Sequence, residues 1–361
     1  MIIHAADAHL GITRYSRIDP ESGQNLRGKD FLDSFVKLCD DVVDRAPDLF
    51  LFSGDLFDRV NPTNHVRRVV QQQLMRISGA SVDTVIISGN HETPRSRGVS
   101  NPLILYRDIP RVSVVLRPTR LEIGDYSIMA VPFTPHPHSH MGNPVGSKTN
   151  ILMLHTTIEG ASVGSERYMC FSDETLSRSQ IPDYDYVALG HIHKMQDLSR
   201  DGRRILYPGS IERYDFNEMG EEKGYLVVDD KVEFVPLPSR RMESAVLDVS
   251  SLSGYEISQR CNEIIESCGI GESIFRIELS GELSQVDRNS INFASIREHA
   301  AGAAYFTIVD RTAQQGHEAV REEAVLFSPH AELERYLRMT DTYSDTIYAK
   351  GSSIIDRRMG Q

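Results

Sequence analysis

Five short apolar runs recur along this chain, each followed within a few residues by side chains able to hold a metal. Met1–Ala5 leads to Asp7 and His9, Leu49–Phe52 to Gly54-Asp55-Leu56-Phe57-Asp58, and Thr84–Ile87 to Gly89-Asn90-His91-Glu92. Ile151–Leu154 runs directly into His155, and Tyr186–Leu189 into Gly190-His191-Ile192-His193. Short apolar runs bounded by turn formers read as buried strands. Active-site groups of open α/β sheets gather at the carboxyl ends of strands, so the five ends predict one shared site.

Helical stripes fall between the early strands. Phe31, Phe35 and Leu38 mark one, and Val66, Val69, Val70 and Leu74 another. Alternating segments follow at Tyr126–Val131 and Tyr225–Val228. This pattern predicts a layered α/β domain over residues 1–238. The 361 residues exceed one average domain. Residues 240–325 read as a smaller α/β unit, with strands at Ala245–Val249, Ile274–Leu279 and Tyr305–Val309. A helix in that unit is marked by Tyr255, Ile257, Cys261, Ile264 and Ile265. Residues 326–361 read as a helical tail. Ser328-Pro329 suits a helix start, Leu333, Tyr336 and Leu337 form a stripe, and Ile347, Tyr348, Ile354 and Ile355 mark a second short helix.

Carboxylate, imidazole and amide oxygen together suit manganese, iron or zinc better than calcium, which takes oxygen alone. In D-x-H and H-x-H, alternate residues of an extended segment face the same way and can reach one site. Glycines before Asp55, Asn90 and His191 let the backbone turn as it leaves a strand. Taken singly each motif has a plainer reading: Gly-Asp-x-x-Asp as a turn with a helix cap, Gly-Asn-His-Glu as another turn, His155 as a core histidine. Their recurrence after five successive strands favours the metal reading. The net charge of −12 counts mildly against an electrostatic DNA binder, although bound cations would make the site locally positive. Cys39, Cys170, Cys261 and Cys268 form no metal or disulfide spacing, and Cys261 and Cys268 are expected to pack as apolar thiols in a core. No apolar run approaches a membrane span, and the amino terminus does not read as a signal peptide, so a cytoplasmic protein is expected.

The order and spelling of these motifs resemble the calcineurin-like metallophosphoesterases, and most closely the nuclease subunit of the double-strand-break repair complex. Asp7-Ala8-His9-Leu10-Gly11 is similar to the first signature of that group. Tyr207-Pro208-Gly209-Ser210-Ile211-Glu212-Arg213-Tyr214-Asp215-Phe216, with Glu222-Lys223-Gly224-Tyr225, is similar to another. The resemblance covers residues 1 to 238. It implies an α/β/β/α core with an α/β cap domain and a helical carboxy-terminal tail, and it implies two Mn2+ per subunit. Asp7, His9, Asp55 and His193 would hold one metal, and Asp55, Asn90, His155 and His191 the other. His91 would act on the leaving oxygen, with Glu92 either orienting it or exposed at the surface. Several relatives carry histidine where this chain has Asp58, which here would take part in substrate positioning or cap the following helix.

The activity implied is a manganese-dependent 3′-to-5′ exonuclease on double-stranded DNA ends with single-strand endonuclease activity. It would work with an SMC-like ABC-type ATPase and as a homodimer. Leu333, Tyr336, Leu337, Ile347 and Ile354 would contact the ATPase; Val66, Val69, Val70 and Leu74, with Leu103 and Ile104, would supply a dimer face or pack in the core. Arg14, Arg17, Arg59, Arg95 and Arg97 stand near the metal motifs and would meet backbone phosphates or remain solvated surface. Pro135-His136-Pro137-His138-Ser139-His140 reads as an exposed loop. The alternatives are a small-molecule phosphodiesterase of the same fold and a catalytically inactive DNA-end scaffold. A protein phosphatase is disfavoured, because Val60 follows Arg59 and Ser88 precedes Gly89 where phosphatases resemble G-D-x-V-D-R-G and R-G-N-H-E.

Overall fold

The computed structural model describes residues 1–15, 17–19, 23–96, 98–146, 148–162, 175–200, 202–314, 333, 337 and 344–359; side chains are described only to 352. Strands β1 (Ile2–Ala5), β2 (Leu49–Phe52), β3 (Asp83–Ile87) and β4 (Val112–Val115) run parallel, with helices α1 (Leu26–Arg45) and α2 (Asn64–Gly79) between them. A second sheet follows, built from β5 (Thr119–Ile123), β6 (Tyr126–Val131), β7 (Thr149–His155), β8 (Tyr186–Gly190), β9 (Gln196–Asp197) and β10 (Arg204–Tyr207). The chain then returns to the first sheet through β11 (Gly224–Val228) and β12 (Val232–Pro236). The strand orders are β12-β11-β1-β2-β3-β4 and β5-β6-β7-β8-β10-β9.

The apolar runs are continuous because both faces of each strand are covered. In β2, Phe50 and Phe52 face α1 and α2, while Leu49 and Leu51 face the second sheet. Burying each of these side chains contributes roughly 1.5–3 kcal/mol. The outer face of the second sheet packs under Met141, Ile158, Leu176, Ile181 and Tyr184. The result is a mixed α/β architecture of two stacked sheets flanked by helices.

Val66, Val70, Leu74 and Leu103 are buried in the first sheet's core, with Val69 packed partly buried against it. Those four side chains therefore serve core packing, while Val69 and Ile104 stay half-buried. Helix α2 is capped by the Thr63 hydroxyl, which accepts from the Val66 N–H. Asp58 is thus not its cap.

Beyond Pro238 lies a three-stranded parallel sheet of β13 (Met242–Asp248), β14 (Ile274–Ser280) and β16 (Tyr305–Asp310). Strands β15 (Glu282–Leu283) and β17 (Ala313–Gln314) pair beside it. Helix α3 (Gly254–Cys268) begins with a reciprocal Ser253–Glu256 capping box. Its apolar face, with Ile257, Cys261 and Ile265, packs on Phe275, Ile277 and Leu279. Cys261 is buried, but Cys268 at the helix end is exposed, contrary to the expected apolar pair. Two short helices, α4 (Gln285–Ser290) and α5 (Phe293–His299), complete this layer.

Helix α6 (Asp345–Met359) covers the second stripe of the tail; Leu337 is buried and Ile347 exposed. Ile354 lies in α6, with its side chain outside the described residues, as are Arg97, Cys170, Ser328, Pro329 and Tyr336. Among the described residues no helix is long and apolar enough to cross a membrane.

Candidate metal centre

All five strand ends converge. Asp7, His9 and His193 place ligand atoms within 4.8 Å of one another, and Asp55, His155 and His191 do the same beside them. The two groups touch through Asp55, whose Oδ2 lies 3.2 Å from His155 Nε2 and 4.0 Å from His9 Nε2. The Asn90 amide oxygen sits 2.9 Å from His155 Nε2 and 3.0 Å from His191 Nδ1. All these side chains are buried except Asn90, which is partly so.

The backbone bends sharply to bring them in. Asp7, His9, Asp55 and His191 all have positive φ, at 53°, 41°, 51° and 96°. That region is uncommon for residues with a Cβ, and such strain concentrates at functional sites. Of the glycines before Asp55, Asn90 and His191, only Gly54 needs a left-handed turn, with φ 93°. At Gly89 the need is proximity, since a Cβ there would collide with the Asp55 carboxylate.

Partners behind the ligands fix which ring nitrogen faces inward. His155 Nδ1 donates to the Ser53 carbonyl at 2.8 Å, and His193 Nδ1 lies 2.8 Å from Glu218 Oε1. Glu218 is in turn paired with buried Lys223 at 2.8 Å and accepts from the Tyr214 N–H. Burial would raise the Glu218 carboxyl, but His193 and Lys223 hold it well below the usual range. Glu218 was not among the residues expected at the site. It falls between the two quoted stretches, Tyr207–Phe216 and Glu222–Tyr225, and nothing in its local spacing marked it.

Electrostatically the site is a buried charge cluster. Burial pushes Asp7 up to about 7, against the pull of His155 and His193. Burial lowers the His155 imidazole, but the adjacent Asp55 carboxylate outweighs it and raises His155 to about 10. His191 is lowered to about 3 by burial and by His155. So many carboxylate, imidazole and amide donors aimed at one point, with the buried His9 Nδ1 making no hydrogen bond, fit divalent metal.

His91 stands at the rim, its ring edge-on to His9 with centroids 4.6 Å apart. Its N–H donates to Asp55 Oδ1 at 2.9 Å, and its Nδ1 donates to the Asp58 carbonyl at 2.9 Å. Glu92 is fully buried and accepts from the backbone N–H groups of Leu56, Phe57 and Gly89. It ties two site loops together, and is neither surface nor the partner that orients His91. A groove of about 500 Å³ opens here, lined by Asp58, Arg59, Asn90, His91, Thr93 and Arg95.

The arginines divide. Arg59 and the exposed Arg95 line this groove. Arg14 lies over the Tyr214 ring at 4.4 Å and 3.5 Å from Asp215. Arg17 turns away and donates to the Ala301 and Ala303 carbonyls of the second unit. The His136 to His140 stretch forms an exposed 3-10 turn around buried Pro137, apart from the metal-ligand groups found among the described residues.

Comparison with known proteins agrees with this geometry. The calcineurin-like phosphoesterase family profile matches residues 1–195. The chain is 30% identical over 282 residues to the DNA double-strand break repair protein Mre11 of Methanocaldococcus jannaschii, covering 74% of this chain and 68% of that one. It is 26% identical over 288 residues to the Mre11 protein of Archaeoglobus fulgidus, covering 70% and 62%. It is also 29% identical over 263 residues to the uncharacterized metallophosphoesterase YhaO of Bacillus subtilis, covering 69% and 63%. The last two matches span less than two thirds of the relatives' own lengths. The chain belongs to the calcineurin-like phosphoesterase family, among the relatives of the archaeal break-repair protein Mre11.

Proposed function

We propose that this phosphoesterase is a manganese-dependent DNA nuclease, a 3′-to-5′ exonuclease on double-stranded ends and an endonuclease on single strands. The observation that carries this reading is the adjacent ligand groups Asp7–His9–His193 and Asp55–His155–His191, with Asp55 Oδ2 4.0 Å from His9 Nε2 and His91 at their rim. Asp7, His9, Asp55 and His193 would hold one Mn2+, and Asp55, Asn90, His155 and His191 a second. When bound, the cations supply Lewis acidity toward the phosphodiester and the attacking water.

The chain's own residues do the rest. Asp55 holds both positions and, through Oδ1, fixes the His91 backbone. The His91 Nδ1 bond to the Asp58 carbonyl sets the ring so that Nε2 faces the site. From there it would stabilise charge on phosphorus and protonate the leaving oxygen. Arg59 and Arg95 offer charge to a phosphate backbone in the groove, with Arg14 at its margin. The unit at 240–325 would act as a cap that selects DNA. The tail from 326 onward would dock on an SMC-like ABC-type ATPase through Leu333, Tyr336, Ile347 and Ile354, while Leu337, being buried, would support that segment from within. A homodimer and a cytoplasmic, nucleoid-associated location belong to the same reading.

A second reading is a small-molecule phosphodiesterase of the same fold, which the phosphoesterase family match over residues 1–195 also fits. Parallel assays on an end-labelled duplex and on bis(p-nitrophenyl) phosphate, with Mn2+, Mg2+ or chelator, separate the two. Manganese-dependent shortening of the duplex supports the nuclease. Hydrolysis of the small ester with the duplex left intact, alone and with the ATPase, would favour the second reading.

A further inference from the structure

Three imidazoles of the centre place Nε2 among the candidate ligands, and two of them have an oxygen behind the ring. His155 Nδ1 donates to the Ser53 carbonyl, and His193 Nδ1 meets the Glu218 carboxylate. His9 breaks the pattern. Its Nδ1 is buried and makes no hydrogen bond, and Asp58 Oδ1 faces it at 3.8 Å.

Asp58 is held in that position from two other sides. The Tyr214 hydroxyl donates to Oδ1 at 3.1 Å, and Arg59 donates to Oδ2 at 3.2 Å. The Tyr214 ring lies against His9 and His193, with centroids 4.9 and 5.3 Å away. The Tyr214 ring and the two imidazoles are therefore packed together. A ligating imidazole almost always donates its other N–H to an oxygen, which fixes the ring and raises its basicity. A metal on His9 Nε2 leaves the proton on Nδ1, aimed at Asp58.

Resting on the two-metal reading above, we propose that the Asp58 carboxylate is the hydrogen-bond acceptor for His9 Nδ1–H, that it closes the 3.8 Å gap when metal binds, and that Tyr214 holds it there. Asp58 is then a positioning residue for one of the two metals. Its separate backbone bond to His91 survives any side-chain change, so the two duties of this position can be taken apart.

The test is calorimetric titration of chelator-stripped protein with Mn2+, for wild type, Asp58→Ala, Asp58→Asn and Tyr214→Phe, beside each variant's metal-free thermal unfolding. Asp58→Ala is expected to weaken one binding event by about 10- to 100-fold and spare the other. Asp58→Asn, whose amide oxygen still accepts, is expected to recover most of that loss. Tyr214→Phe is expected to weaken the same event by a smaller factor. Wild-type affinity in Asp58→Ala would overturn the assignment. Equal losses in Asp58→Asn and Asp58→Ala would overturn it too, by reducing Asp58 to a nearby charge. Failure of the wild type to take up two metals would instead overturn the reading beneath it and this proposal together.

Discussion

At Asp55 two duties meet: one carboxylate oxygen reaches toward His155 and His9, and the other holds the His91 backbone. Asp55→Ala is therefore expected to abolish both metal binding and cleavage, measured by metal content after dialysis and by duplex shortening. The same cluster sets a pH dependence. In metal-free protein His155 is raised to about 10 and Asp7 to about 7, yet metal binds the deprotonated forms. Loading the stripped protein with Mn2+ near pH 7 is expected to release protons, and apparent affinity to rise from about pH 6 to about pH 8. A pH-stat titration reads the first and calorimetry at three pH values the second. Without metal the sign reverses: the His155–Asp55 pair stabilises fully below the ordinary imidazole value and is lost as pH rises toward about 10.

At the scale of elements, the site is held by loops that leave strand ends under strain, and Glu92 joins two of them. Its carboxylate takes N–H groups from Leu56, Phe57 and Gly89. Glu92→Ala would strand these buried donors, at a cost of about 1–3 kcal/mol measurable by denaturant unfolding. The strands and the residues gathered at the candidate centre were legible in the sequence, because doubly covered strands are unbroken apolar runs and each motif sits next to its own strand. What lay behind the ligands was not. Glu218 reaches His193 from 25 residues away, and nothing in local spacing announces that pairing. Glu92 read equally well as surface, since burial of a carboxylate depends on donors from two distant loops. Similarly, the stripe of α2 has the same periodicity whether it faces a core or a partner, and only the first sheet beneath it decides for the core.

Across the whole molecule, the first 238 residues carry the candidate metal centre, and the second unit packs against them through several contacts. Arg17 donates to carbonyls of that unit, and Arg240 joins Asp30 at 2.6 Å. If the tail is the ATPase contact, removing residues 326–361 should leave manganese-dependent cleavage within about two-fold and abolish co-purification with the ATPase. The role of His91 is read out in cleavage itself. Single-turnover cleavage of an end-labelled duplex, with wild type and His91→Asn at equal measured metal content, separates metal holding from chemistry. Manganese-dependent cleavage is expected from the wild type, and His91→Asn is expected to retain both metals with its rate down by about 10²- to 10⁴-fold. Cleavage at the wild-type rate by His91→Asn, or loss of its metal, would contradict that role.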